Sequence, residues 1–369
     1  MKSQLFIGCL TRQTPYFPNA NGKGIAIGSF DGENGRITVS ATDGSVINPV
    51  WLTVDAARGT LYACSEVFEW DQGRITACRI TQAGLTKLNA QDSGGSISGY
   101  ATLDRSGNAL LAINYCLDAP GRPYGSGAVL MPIAADGSLD PIAAAISHRH
   151  CPLGPNGGRQ ERSHVHVVVP SPDNRFLLVA DLGIDRLLAY RFDPARRTIS
   201  PAPAAVLALP PGAGPRHLVL HPSARWLYLI NELDSTIAAV AFDAVAGVLE
   251  LLQIVSTLPA GFDAHNDACA LDITPDGRFL YGTNRGHDSV AIFAVDQATG
   301  RLEARGHVAC GGRTPRCLAV DPEGNFALVA NQNSDTVAVF RIDRKAGALT
   351  RHGTHEIGTP MCFAFRPLP

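Results

Sequence analysis

Residues 315–343 read PRCLAVDPEGNFALVANQNSDTVAVFRID, and the architecture follows from this stretch. An apolar strand runs into a turn built on Asp-Pro-Glu-Gly-Asn. A second apolar strand follows, then a polar turn containing Ser-Asp, then a third strand ending in Ile-Asp. The same plan recurs upstream in HVHVVVPSPDNRFLLVADLGIDRLLAYRFD from His164, PRHLVLHPSARWLYLINELDSTIAAVAFD from Pro215 and ACALDITPDGRFLYGTNRGHDSVAIFAVD from Ala268. The turn prolines Pro172, Pro222, Pro275 and Pro322 recur at intervals of 50, 53 and 47 residues. Self-similarity at such a period marks a stack of supersecondary units.

Two degenerate copies precede these four. Residues 51–55 (WLTVD) lead into 61–63 (LYA), and 101–104 (ATLD) lead into 110–112 (LLA). Neither has the turn proline. A final half-copy, 361–365 (MCFAF), stops at Arg366-Pro367, and the N-terminus supplies strands at 5–8 and 24–28. Six full copies and one shared between the chain ends make seven.

Each unit is a small twisted sheet with two apolar faces that it cannot bury alone. Stacking buries them, and closing the stack into a ring removes the two sticky ends. The sequence therefore predicts an all-β fold, a seven-bladed β-propeller. Its ring is closed by pairing of the N-terminal strands with the C-terminal strand, and residues 1–369 form a single domain. An open solenoid fits less well, because solenoid repeats are shorter and more uniform. Two stretches break the rhythm: a Pro/Gly-rich insertion at 118–124, and a Gly-rich loop at 148–162 that ends directly before His164.

Composition excludes several functions. Charged residues are 17% of the chain and the formal net charge is −2. Such a chain has no basic field for nucleic acid and no polybasic anchor for a membrane. The N-terminus MKSQLFIGCLTRQT lacks the small-residue cleavage site of a signal peptide. Nine cysteines are scattered singly with no C-x-x-C, which reads as reduced thiols in the cytoplasm. No pattern specifies an oligomeric state. Nucleophile-elbow, zinc-protease and phosphate-loop motifs are absent.

In a propeller the first strand of each blade lines the central channel, and the antiparallel second strand returns to the same mouth. The turn proline sets both positions. Six residues before it stand His166, Arg216, Cys269 and Arg316; ten residues after it stand Leu182, Glu232, Arg285 and Gln332. His166, Arg216, Glu232, Arg285, Arg316 and Gln332 are thus expected to converge, placing charge where the strands are otherwise apolar. A structural ion pair between Arg216 and Glu232 is compatible with that reading. His148/His150 and His164/His166 are H-x-H pairs. Residues i and i+2 of a strand share a face, so either pair could chelate a metal. Asn231, Glu232 and Asn284 could offer oxygens to Ca²⁺, but Arg216 and Arg285 would repel it. The reading requires no metal and no organic cofactor.

The four segments also resemble the lactonase family, which includes propeller-type 6-phosphogluconolactonases and shares its fold with a fungal 3-carboxy-cis,cis-muconate lactonizing enzyme. By that resemblance the catalytic groups fall on His166, Arg216, Glu232 and Arg285; His164, Arg316 and Gln332 are expected beside them as substrate-binding residues. The first two copies depart from the pattern, carrying Val50 and Gly99 where three of the four later copies have His166, Arg216 and Arg316. The resemblance implies a small anionic lactone or carboxylate as partner and hydrolysis of a sugar lactone, 6-phosphogluconolactone first. The alternatives are a carboxymuconate-type cycloisomerase, and a propeller that binds a ligand or protein without catalysis.

Overall fold

The computed structural model describes residues 2–116, 125–201 and 203–368. The insertion at 118–124 lies outside the described residues. Among the described residues the chain forms seven sheets, and its helices are two 3-10 turns, Leu182–Ile184 and Gln332–Ser334. Six sheets begin on the strands Pro49–Asp55, Ser98–Leu103, Val165–Pro170, Pro215–Leu220, Asp267–Ile273 and Pro315–Val320. The seventh joins the chain ends: Pro360–Pro367 pairs with Lys2–Cys9, which pairs with Ile25–Asp31 and so with Arg36–Asp43. Phe6 stands opposite Ala364, and Ile7 opposite Phe363. The all-β class, the count of seven and the pairing of the termini agree with the sequence repeat.

The repeated turn residues have specific work. In the first turn of four copies a Ser, Thr or Asp side chain accepts the N–H that opens the second strand, as Asp104 Oδ1 does from Ala109 N (2.9 Å). Phe176 N donates to Ser171 Oγ (3.0 Å), Phe279 N to Thr274 Oγ1 (3.1 Å) and Phe326 N to Asp321 Oδ1 (2.6 Å). The fourth residue of that turn is left-handed. It is Gly107 (φ 70°), Asn174 (62°), Gly277 (73°) and Gly324 (71°), but Ala224 (60°) in one copy. The aspartates ending the third strands, which the sequence displays as Phe-Asp, Val-Asp and Ile-Asp, organise the outer turns. Asp243 Oδ1 accepts from Val245 N and Ala246 N, and Asp343 Oδ1 from Lys345 N and Ala346 N.

By its internal packing the chain comprises two compact units. The first is Met1–Ser45, His217–Ala241 and Leu251–Pro369; the second is Val46–Arg216 and Phe242–Glu250. One contact recurs within them: the aromatic ring that opens a second strand lies against the left-handed glycine of the next outer turn. In the first unit Trp226 meets Gly300, Phe279 meets Gly347 and Phe326 meets Gly35; in the second, Phe176 meets Gly247. A Cβ on these glycines would stand 2.2 to 2.5 Å from the ring, so only glycine fits. A buried tyrosine hydroxyl adds a bond to the same kind of turn: Tyr228 to Gly300 O, Tyr281 to Gly347 O, and Tyr62 to Gly137 O in the second unit, at 2.9 to 3.0 Å. The apolar cores lie between successive sheets, as where Tyr281, Ile292, Val329 and Phe340 pack together.

All nine cysteines are free thiols, eight of them buried and Cys151 half-buried. Among the described residues no helix is long and apolar enough to cross a membrane.

Two substitutions test these turns, with urea midpoints at constant m-value as the measurement. Gly300→Ala meets the Trp226 ring and a left-handed backbone, and should cost about 2–4 kcal/mol. Ala224→Gly relieves a left-handed alanine and should raise stability by about 0.5–1 kcal/mol.

Candidate active site

The sequence places its candidate residues at strand ends, and there the sheets share an irregularity. Val165 pairs with Asp181 and Val167 with Ala180, so His166 is an extra residue in a β-bulge. Pro315 pairs with Asn331 and Cys317 with Ala330, leaving Arg316 in the same position. Val50 and Gly99 are the bulged residues of the first two copies. A bulge turns its extra side chain out of the regular alternation, and bulges cluster beside active sites for that reason. Cys269 lies in the bulged stretch of its own sheet, and its thiol donates to the Arg316 carbonyl at 2.9 Å.

In the first unit, Glu232 directly follows the strand Trp226–Asn231, and Arg285 ends Phe279–Arg285. The Arg285 Nη2 is 3.0 Å from Glu232 Oε2, with side chains 12% and 4% exposed. This is a largely desolvated charge pair, and such pairs interact far more strongly than surface ones. The Arg316 guanidinium lies 5.4 Å from the centre of the Phe17 ring, a cation–π distance. Gln332 opens the second 3-10 turn and is 1% exposed. Its Nε2 donates to Asn333 Oδ1 at 2.9 Å.

In the second unit, His166 is 8% and Arg216 2% exposed. The Tyr115 ring stacks on His164 at 4.3 Å and meets the edge of His166 at 5.6 Å. His164 is fully buried. Its Nδ1 is 2.7 Å from the Tyr115 carbonyl and its Nε2 3.0 Å from Glu161 Oε1, so protein groups engage both ring nitrogens. Burial disfavours the Glu161 carboxylate, but its hydrogen bond with His164, nearby positive charge and a backbone N–H together outweigh it and hold the group below the usual range. Behind this layer, Asp181 accepts from Ser163 Oγ (2.5 Å) and His164 N (2.8 Å) and lies 2.6 Å from His148 Nδ1. His148 Nε2 is 2.8 Å from Tyr190 Oη. The Gly-rich loop packs on the turn after Asp181: Gln160 Nε2 donates to Leu182 O, and Gly154 N to Gly183 O.

These contacts dispose of the two H-x-H pairs as chelates. The bulge at His166 breaks the alignment of i with i+2, and His148 is buried against Asp181 and Tyr190 while His150 is exposed. Among the described residues no group of three or more His, Cys, Asp or Glu side chains is placed to hold a metal.

Sequence reasoning missed Tyr115, Glu161, Asp181 and Phe17, and weighed His148 only as half of an H-x-H pair. One of them had a signal. The second strands of three copies end in Asn114, Asn231 and Asn331, a fourth carries Asn284 just before its last residue, and Asp181 replaces asparagine at that position. A carboxylate there needs a partner when buried, and His148 supplies it.

Comparison with known proteins bears on the family and the fold. The profile of the lactonase family, described as a seven-bladed β-propeller, matches residues 4–365. A 6-phosphogluconolactonase of Bacillus subtilis is 31% identical over 304 residues, covering 81% of this chain and 82% of its own. A 6-phosphogluconolactonase of Formosa agariphila is 31% identical over 321 residues, 86% of each chain. The solved structure of a periplasmic gluconolactonase of Pseudomonas aeruginosa is 34% identical, covers 100% of both chains and superposes with a TM-score of 0.88.

The buried pair of the second unit makes stability depend on pH. Burial opposes ionisation of Asp181, but its bonds from His148, Ser163 and the His164 backbone win and lower its pKa. A carboxylate lowered in the folded state contributes stability above its unfolded pKa of about 4 and loses it as pH falls through the folded value. Asp181→Asn should cost about 3–5 kcal/mol at neutral pH by stranding His148. It should also flatten the acid limb of stability measured by urea unfolding from pH 7 downward.

Proposed function

The chain belongs to the lactonase family of seven-bladed β-propellers, and on that premise we propose that it hydrolyses a sugar lactone. The carrying observation is the Glu232–Arg285 pair at 3.0 Å, held at two strand ends and largely removed from water. The guanidinium favours the ionised carboxylate, the form that can take a proton from water. In the reaction, Glu232 or His166 accepts that proton as the water oxygen bonds to the lactone carbonyl carbon. Arginine stabilises the oxyanion that forms. The bond from that carbon to the ring oxygen then breaks, and the proton passes to the ring oxygen, leaving a hydroxy acid.

Relatives named 6-phosphogluconolactonase support 6-phosphogluconolactone as the substrate. Arg216, Arg285 and Arg316 supply forked donors suited to phosphate as well as to an oxyanion. His166 and Arg216 share their offset from the turn proline with Arg316, which supports a role in the same chemistry. Nine free thiols support a reducing cytoplasm as its place of work, although the Pseudomonas relative is described as periplasmic.

The test is a pH-corrected assay of glucono-1,5-lactone with and without its 6-phosphate. If Glu232 is the base, Glu232→Gln should lower turnover by about 10²–10⁴ while substrate still binds. If His166 is the base, His166→Asn shows that loss instead. Arg216→Met and Arg285→Met should weaken the phosphorylated substrate more than its plain analogue. Wild-type rates in all four variants would sink the assignment.

A further inference from the structure

A second feature of the first unit has no part in that reaction. Beside the Glu232–Arg285 pair lies an open cleft of about 380 Å³, lined by Gly286, which follows Arg285, and by Phe17, over which Arg316 lies. Its volume is in the range of roughly 300–1,000 Å³ typical of small-molecule sites. It has room beyond a single lactone ring.

One wall is the segment between Lys2–Cys9 and Ile25–Asp31, and it is built rather than loose. Thr14-Pro15-Tyr16-Phe17 closes a tight turn in which Thr14 N donates to Phe17 O and Phe17 N to Thr14 O, both at 3.1 Å. At the base of the segment, Asn21 Nδ2 donates to Asp335 Oδ2 at 2.7 Å, and Asn21 N to Thr359 Oγ1 at 3.0 Å. Phe17 and Pro18 thus present apolar surface at a set height, with Asn19 beside them.

The remaining lining decides the chemistry. It carries Asp288, Asp335 and one cation, Arg313, whose Nη2 donates to the Asn333 carbonyl at 3.2 Å. Two carboxylates against one guanidinium disfavour a phosphate or carboxylate ligand. Gln332 lines the same cleft and is 1% exposed. Its Nε2 is committed to Asn333, and its Oε1 has no hydrogen-bond partner. A buried acceptor left unmade keeps an uncompensated desolvation cost until a donor arrives. A hydroxyl can donate to it; a phosphate oxygen has no proton to give. Apolar ring surface, amides, hydroxyl-accepting carboxylates and an orphaned acceptor together describe a site for a neutral, hydroxyl-rich group.

We infer that this cleft is a sugar subsite, and that the enzyme takes aldonolactones carrying a neutral glycosyl substituent. The inference rests on the lactonase reading above and extends it to a second substrate class. The phosphate of a phosphorylated lactone belongs to the arginines, whereas a neutral sugar belongs to the cleft.

The experiment compares kcat/KM for a 4-O-glucosyl glucono-1,5-lactone, made by oxidising maltose, with that for glucono-1,5-lactone. The ratio of the two is independent of how much of a preparation is folded. Wild type should favour the glycosylated lactone. Phe17→Ala and Asn19→Ala should each reduce the ratio by about ten-fold, the effect of one pocket contact. If wild type hydrolyses the plain lactone but not the glycosylated one, or if the ratio is unmoved in both variants, the subsite is refuted and the lactonase reading stands. If wild type hydrolyses neither these nor the 6-phosphate, both readings fall.

Discussion

An aromatic ring resting on a bare glycine is the contact on which the rest of this structure depends. Phe176, Trp226, Phe279 and Phe326 each open a second strand, and each covers the left-handed glycine of the next outer turn. The glycine is required twice over, by its backbone angle and by the ring above it. Because the ring stands at the beginning of its strand, that end is committed to holding sheets together. The other end of the same strand is spared this duty. There the chain carries Glu232, Arg285 and Gln332, groups that a packing contact could not tolerate.

The first strands divide their labour in the same way. Their far ends run into the turns that cap the second strands, while their near ends carry a bulge. The extra residue has no partner opposite, so its side chain is released from the alternation of core and surface. His166 and Arg316 occupy that position; Val50 and Gly99 occupy it without chemistry. A repeated backbone irregularity therefore offers one such position in each of these four sheets, and the side chain decides whether it is used. Behind His166 the support is polar and centres on His164, which stacks on the Tyr115 ring, meets Glu161 through Nε2 and donates its backbone N–H to Asp181. Behind Glu232 the support is the Arg285 guanidinium itself.

Asp335 joins fold to site in the first unit. Its Oδ1 accepts the N–H of Thr359, just before the strand Pro360–Pro367, and its Oδ2 holds Asn21 at the base of the segment that carries Phe17. One carboxylate thus aligns the chain end for pairing and sets the wall of the cleft. Asp288 and Asp185 make the equivalent bonds to Thr314 N and Gly214 N. The device is general to the repeat, and the cleft exploits one instance of it.

The sequence by itself determined the class, the number of sheets and the ends of the strands, because those depend on local chemistry. Proline, the left-handed turn glycines and the capping aspartates act within a few residues, and their spacing is readable. The offsets from Pro172, Pro222, Pro275 and Pro322 placed His166, Arg216, Glu232, Arg285, Arg316 and Gln332 at strand ends, where they stand. Tertiary structure alone decided the rest. A bulge depends on the register between two strands, and nothing in HVHVVVP announces which residue will be left over. His164, expected to touch substrate, is enclosed by Tyr115 and Glu161, because rings from separate strands stack only once the sheets have packed. The cleft joins residues 17, 286, 313 and 332, which are distant in sequence and share no motif. Hydrogen bonds and ring contacts act over a few ångströms of space, whatever the separation along the chain, and so no pattern in the chain could report them.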